Sequence, residues 1–145
     1  MNSWIIRPFK MNDYASVLRV WGHANLPHKP RGRDNPEMIK KELKLGTAIF
    51  YVAELNGEIV GTALGTHDGR KGWINRLAVI PEHQRRGIAR ALIQTIEDKL
   101  ESMGILIIAT LIEKGNIHSE QVAQSLGFTH LETIQYYSKR KHQDV

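Results

Sequence analysis

The chain contains no cysteine. That single absence removes structural disulfides, thiolate zinc sites and a cysteine nucleophile together, and it suits a reducing compartment, so a cytoplasmic location is expected. Long apolar runs are missing too. No stretch reaches the length of a membrane span, and the start, Met1-Asn2-Ser3-Trp4-Ile5-Ile6-Arg7, lacks the charged and then apolar order of a signal peptide, so no membrane partner is expected. Several chemical signatures are also absent: Gly-Lys-Ser/Thr for triphosphates, Gly-x-Gly-x-x-Gly for dinucleotides, His-Glu-x-x-His for zinc, and Gly-x-Ser-x-Gly for a serine nucleophile. Among the 7 histidines, His23, His28, His67 and His83 fall on separate elements without ligand spacing, so no metal is expected.

What is present fits one domain spanning residues 1–145, long enough to bury a core unaided. The formal charge of +5 invites a nucleic-acid reading. Much of the excess, however, lies in residues 29–33 and in Lys139-Arg140-Lys141 rather than on one recognition helix. A solvated or small-anion role is favoured over a duplex.

Residues 4–9 read as a first strand, and Asp13 can cap a helix in which Val17, Leu18, Trp21 and Leu26 recur at helical spacing. Two prolines and a glycine make residues 27–35 a loop, with Pro36 opening a helix that runs to about Leu45 and stops at Gly46. Residues 47–55 and 58–66 form a hairpin about Asn56-Gly57, and residues 72–80 add a third strand, an antiparallel meander halted by Pro81. Ile88, Leu92, Ile96, Leu100 and Met103 mark an amphipathic helix closed by Gly104. The apolar run 105–112 reads as a strand buried on both faces and parallel to the third meander strand. A last helix, about residues 117–126, and two closing strands, 128–132 and 134–139, complete a mixed α/β fold of the α+β type.

The turn Gln84-Arg85-Arg86-Gly87-Ile88-Ala89 breaks a rule. Helix starts favour Asp and Glu, yet Arg85, Arg86 and Arg90 crowd this one, with no acid from Gln84 to Ile96. Cations at the positive end of a helix dipole make sense if an anion belongs there, held by free backbone N–H groups, with Gly87 and Ala89 small enough to let it approach.

Leu77-Ala78-Val79-Ile80-Pro81-Glu82-His83-Gln84-Arg85-Arg86-Gly87-Ile88-Ala89-Arg90-Ala91-Leu92 resembles the acetyl-CoA signature of the GNAT superfamily of N-acetyltransferases, including its Gln/Arg-x-x-Gly-x-Gly/Ala core. The resemblance extends to the order of elements over nearly the whole chain. It implies that backbone groups of Leu77, Ala78 and Val79 pair with the pantetheine arm of acetyl-CoA like an added strand. It also implies pyrophosphate contacts from the turn through Arg90, and an Asn116 side chain near the cofactor. The backbone N–H of Val79 is the expected polariser of the thioester carbonyl.

Two positions depart from the family pattern. The tyrosine acid often found seven residues after the motif asparagine is replaced by Ala123, and the glutamate often found five before it by Leu111. The acid and base are therefore open, with Tyr136 and Tyr137 on the last expected strand as candidates, and Glu113 and His118 unassigned. Trp73 and Asn75, two strand positions apart and sharing a face with Leu77, are candidates for the acceptor pocket. Lys29, Arg31 and Arg33 on the loop between the first two helices hint at an acceptor carrying carboxylate or phosphate. The expected function is transfer of acetyl to a primary amine of a small molecule, peptide or protein by direct attack in a ternary complex, with a homodimer admitted. The alternative is an acyl-CoA-binding sensor or partner-binding domain without turnover, which Ala123 and Leu111 would suit.

Overall fold

The computed structural model describes residues 3–145; Met1 and Asn2, the start of the stretch that lacks signal-peptide order, lie outside them. The elements are β1 (Trp4–Pro8), α1 (Tyr14–His23), α2 (Pro36–Leu45), β2 (Ala48–Leu55), β3 (Glu58–His67), β4 (Gly72–Ile74), β5 (Ala78–Val79), α3 (Ile88–Ser102), β6 (Ile108–Thr110) and α4 (Ile117–Ser125). The sheet runs β1-β2-β3-β4-β6, with β5 paired to β3 beside β4. Every pairing is antiparallel except β4 with β6. This is the expected mixed fold, an antiparallel meander carrying one parallel pair.

Local chemistry accounts for the ends of several elements. Asn56 and Gly57 take φ of 52° and 82°, the paired left-handed values of the tight hairpin turn. The Asn35 side chain accepts from the Met38 N–H, Pro36 fills the first helical turn, and Gly46 at φ 77° closes α2. Asp13 behaves differently. It stands before α1, but its carboxylate makes no capping bond. Instead it accepts from the Lys10 N–H at 2.8 Å and from Arg7 at 2.9 and 3.0 Å, so the helix entry is pinned to β1.

Two apolar layers sandwich the sheet. Val17, Val20 and Trp21 of α1 and Ile39 of α2 pack with Phe50, Val52 and Leu64 on one face. On the other, Ile88, Leu92, Ile96 and Leu100 of α3 pack with Ile49, Ala53, Val60 and Ile74. Gly61, Gly65 and Gly72 let α3 come close: a Cβ on them would meet Ile88 at 3.1 Å, Ile96 at 2.7 Å and Leu100 at 2.6 Å.

Three expectations need correction. Residues 72–80 form two short strands, because Asn75 and Arg76 both donate to the Leu64 carbonyl, at 2.7 and 3.4 Å, a bulge that interrupts the ladder. The expected strand 105–112 shrinks to Ile108–Thr110, and although Ile105 is buried, Leu106 and Ile107 are exposed. The two closing strands, 128–132 and 134–139, do not form. Alternating apolar residues make a strand only against a partner edge, and here the tail crosses the loop between α1 and α2, where a Cβ on Gly32 would overlap the Asp144 carbonyl. Among the described residues no strand pairs with the outer edge of β6.

Arg7 holds the Asp13 carboxyl below the usual carboxylate range. A depressed carboxylate contributes stability that is complete above its unfolded pKa of about 3.9 and is lost as pH falls through its lower folded pKa. Asp13→Asn is expected to cost about 2 kcal/mol at pH 7. Thermal melts from pH 7 to pH 2 check this: the gap between wild type and variant should hold down to about pH 4 and close below it.

Candidate functional site

β4 and β6 run side by side over three residue pairs, Gly72 with Ile108 through Ile74 with Thr110. The bulge at Asn75 and Arg76 then hands the chain to β5, which pairs with β3 alone. The sheet splits at that point. Between Ala78 and Val79 on one side and Leu111, Ile112 and Glu113 on the other lies a cleft of about 730 Å³. It runs to the start of α3, along α4, and out to Leu26, Pro27, Arg33 and Arg140.

At its inner end lies the turn from Gln84 to Ala89. Arg85 sits at φ 65° and Gly87 at φ 86°, both in the left-handed region, and no side chain caps α3. The first N–H groups of a helix have no acceptor within it. With no cap, those of α3 are free to meet an anion at the positive end of the dipole. Arg85 and Arg90 line the cleft, and Arg90 also donates to Ser125 Oγ at 3.0 Å, joining α3 to α4. Arg86 is not among the lining residues, whereas Gln84, Gly87, Ile88, Ala89 and Asn116 are. The Asn116 side chain accepts from the Ser119 N–H at 3.2 Å and so caps α4.

Val79 faces the split. Ile80 donates to the Val60 carbonyl at 2.9 Å, and in an antiparallel ladder the neighbouring residue turns its N–H and C=O the other way. The N–H and carbonyl of Val79 therefore point away from β3. Its carbonyl is taken by Gln84 Nε2 at 3.0 Å, leaving the N–H directed at the cleft.

Ala123 and Leu111, where the family often carries its acid and base, both line the cleft. Glu113, His118 and His83 line it too, and His83 Nδ1 is buried without a hydrogen-bond partner among the described residues. Tyr136 and Tyr137 do not line it. They are 67% and 84% exposed, on a segment that forms no strand, and the Tyr137 hydroxyl donates to Gln135 at 2.8 Å.

At the outer end Asn75 and Arg33 line the cleft, but Trp73 and Arg31 do not. Trp73 lies in the parallel ladder opposite Ala109, with the Lys71 ammonium 4.5 Å over its ring. The bulge is the reason, since alternation of faces breaks where two residues oppose one. Sequence reading also missed a knot built on Asp34. Its carboxylate accepts from the Lys29 N–H at 2.7 Å and from Arg76 at 3.0 Å, while its carbonyl accepts from the Tyr14 hydroxyl at 2.8 Å. Arg76 lies 6.0 Å over the Trp21 ring, and the Trp21 indole donates to Thr62 Oγ1 at 2.9 Å. The knot fastens the loop at residues 27–35 to the bulge. An aspartate flanked by Arg33 and Asn35 carries no local sign of such a partner. Arg140 and His83 were also missed; the position of His83, immediately before the phosphate-type turn, was the available signal.

Comparison with known proteins bears on the same residues. The acetyltransferase (GNAT) family matches residues 16–128. The fold is similar to that of an aminoglycoside N-acetyltransferase, AAC(6')-Iy, in complex with CoA, at a TM-score of 0.78 and 20% identity over 97% of each chain. It is also similar to the PaiA N-acetyltransferase of Thermoplasma acidophilum in complex with coenzyme A, at 0.75 and 18% over 88% of this chain and 90% of that one. A third similarity, to the ribosomal-protein-S18-alanine N-acetyltransferase of Escherichia coli, has a TM-score of 0.75 and 19% identity over 89% of this chain and 79% of that one. The chain belongs to the GNAT family, the acetyl-CoA-dependent N-acetyltransferases.

Proposed function

We propose that the cleft seats acetyl-CoA with its pyrophosphate on the turn from Gln84 to Arg90 and its pantetheine arm along Leu77, Ala78 and Val79, and passes the acetyl group to a primary amine entering from the side of Arg33. The observation that carries this reading is the pairing of an uncapped, cation-flanked helix start with an outward Val79 N–H in one cleft, bridged by Gln84. Asn116, whose side chain is engaged in capping α4, contributes its place beside the cofactor. The neutral amine nitrogen attacks the thioester carbonyl carbon, and negative charge grows on the carbonyl oxygen, where the Val79 N–H stabilises it. The C–S bond then breaks with its electron pair on sulfur, and the proton leaves the new ammonium for water. No side-chain acid is required, because a thiolate of pKa about 8.5 leaves far more readily than an amine.

Thermal melting with excess acetyl-CoA tests the cofactor half. At a hundred times its dissociation constant, a ligand adds about 2.7 kcal/mol, which for a chain of this size raises the melting temperature by about 5–10 °C. An unchanged melting temperature refutes the reading. Release of CoA thiol against a panel of amines tests the chemical half. The methyl group of Ala123 at the cleft wall favours a second reading, an acyl-CoA sensor; a full thermal shift with no thiol release from any amine would establish it.

A further inference from the structure

The outer end of the cleft is cationic, and its acids are engaged elsewhere. Asp34 is committed to Arg76 and to the Lys29 N–H. Glu42 stands beside Arg33 and Arg76, and burial, then the charge of Asp34, raises its pKa while the two arginines oppose the shift. Glu113 is the one acid lining the cleft among the described residues, and it sits beyond β6, on the far wall from Arg33.

Arg33 and Arg140 have no carboxylate side chain within ion-pair distance among the described residues. Two unrelated segments bring both to the wall of one cleft. The knot at Asp34 fixes Arg33, and the contact of Asp144 with Gly32 seats the tail that carries Arg140. Burial and the charges of Arg76 and Arg140 hold Arg33 below the usual guanidinium range, with Asp34 opposing. Arg140 already donates to a main-chain oxygen of Val145, the last residue of the sequence, and an incoming anion must share or displace that bond. Cations facing one cleft repel each other, and an anion that enters it and accepts from both relieves the repulsion. A polycationic amine would add to it.

We propose that the amine acceptor carries a carboxylate or phosphate, held by Arg33 and Arg140 at the outer end of the cleft, and that polycationic amines are poor substrates. This rests on the acetyltransferase reading and narrows it to a substrate class. The anion fixes one end of the acceptor while the amine reaches toward Val79.

Release of CoA thiol from the full chain tests the proposal with matched primary amines: glycylglycine against glycylglycinamide, phosphoethanolamine against ethanolamine, and spermidine as the polycation. The anionic member of at least one pair should show kcat/KM about tenfold or more above its neutral partner, equivalent to about 1.4 kcal/mol. Which pair shows the ratio identifies carboxylate or phosphate. Arg33→Gln and Arg140→Gln should each shrink that ratio toward one by raising KM for the anionic member. Lys41→Gln, on the exposed side of α2, should leave the ratio as it was. The acetyl-CoA thermal shift, retained in all three variants, certifies their fold. Equal or faster acetylation of the neutral amines or spermidine overturns the proposal, as does a ratio unmoved by both arginine variants. Silence with every amine, while acetyl-CoA still raises the melting temperature, overturns the acetyltransferase reading and this inference with it.

Discussion

Gly87→Val abolishes the rise in melting temperature on adding acetyl-CoA, and its dissociation constant by calorimetry increases at least a hundredfold. Gly87 holds φ at 86° with only Trp4 near its missing Cβ, at 3.9 Å, so the defect is not a clash with the core. It has two parts. A β-branched residue in the left-handed region costs about 1–2 kcal/mol in the free protein. Its methyl groups also stand where a pyrophosphate must approach the first N–H groups of α3. A hundredfold loss is about 2.7 kcal/mol, enough to erase the whole shift expected at a hundred times the native dissociation constant. Arg85→Gly separates strain from charge. Arg85 pays the left-handed cost at φ 65°, so glycine there should leave the free protein as stable or about 1 kcal/mol more so, while affinity for acetyl-CoA falls. If Arg85→Gly binds as tightly as wild type, the side chain takes no part in holding the anion.

Gly65→Val is expected to be strongly destabilising. A Cβ there lies 2.7 Å from Ile96 Cγ2 and 3.3 Å from the Trp73 carbonyl, beneath the middle of α3. Ile96 is fully buried, so it has no free volume to retreat into. Overpacking of this kind costs about 1–3 kcal/mol, and the two further methyl groups of valine place it at the upper end. The helix that must shift is the one whose start is the proposed pyrophosphate site, so affinity for acetyl-CoA should fall alongside stability, although Gly65 does not line the cleft. Ile96→Ala removes the nearest atom. The double variant is expected to be more stable than the sum of the two single changes by about 1 kcal/mol or more, a coupling that chemical denaturation of the four proteins would measure.

Features specified by adjacent residues were legible in the sequence. Asn56-Gly57 and Asn35 with Pro36 and Gly46 each act within a few positions and appear where expected, and of the crowded cations Arg85 and Arg90 line the cleft while Arg86 does not. What depends on distant partners was not legible. Nothing local to Asn75 or Arg76 announces that both will share the Leu64 carbonyl, yet that bulge moves Trp73 away from the cleft and opens it. Asp13 has the composition of a helix cap, but Arg7, six residues earlier, claims its carboxylate. The apolar alternation around Ile134 and Tyr136 satisfies a strand pattern, but a pattern supplies no partner edge. Arg31 and Arg33 look alike in sequence; only the anchoring of Asp34 decides which of them is held at the cleft.

The bond from Gln84 Nε2 to the Val79 carbonyl has a consequence for reach. It closes residues 79–84 into a clasped loop, with the Val79 N–H directed at the cleft on one side and the start of α3 directly after it on the other. The spacing between these two grips is thus set by the protein before any cofactor arrives. In the proposed binding mode the clasp works as a ruler, matched to one length of arm between phosphate and sulfur. An acyl thioester on a shorter carrier would touch either end of the ruler without spanning it.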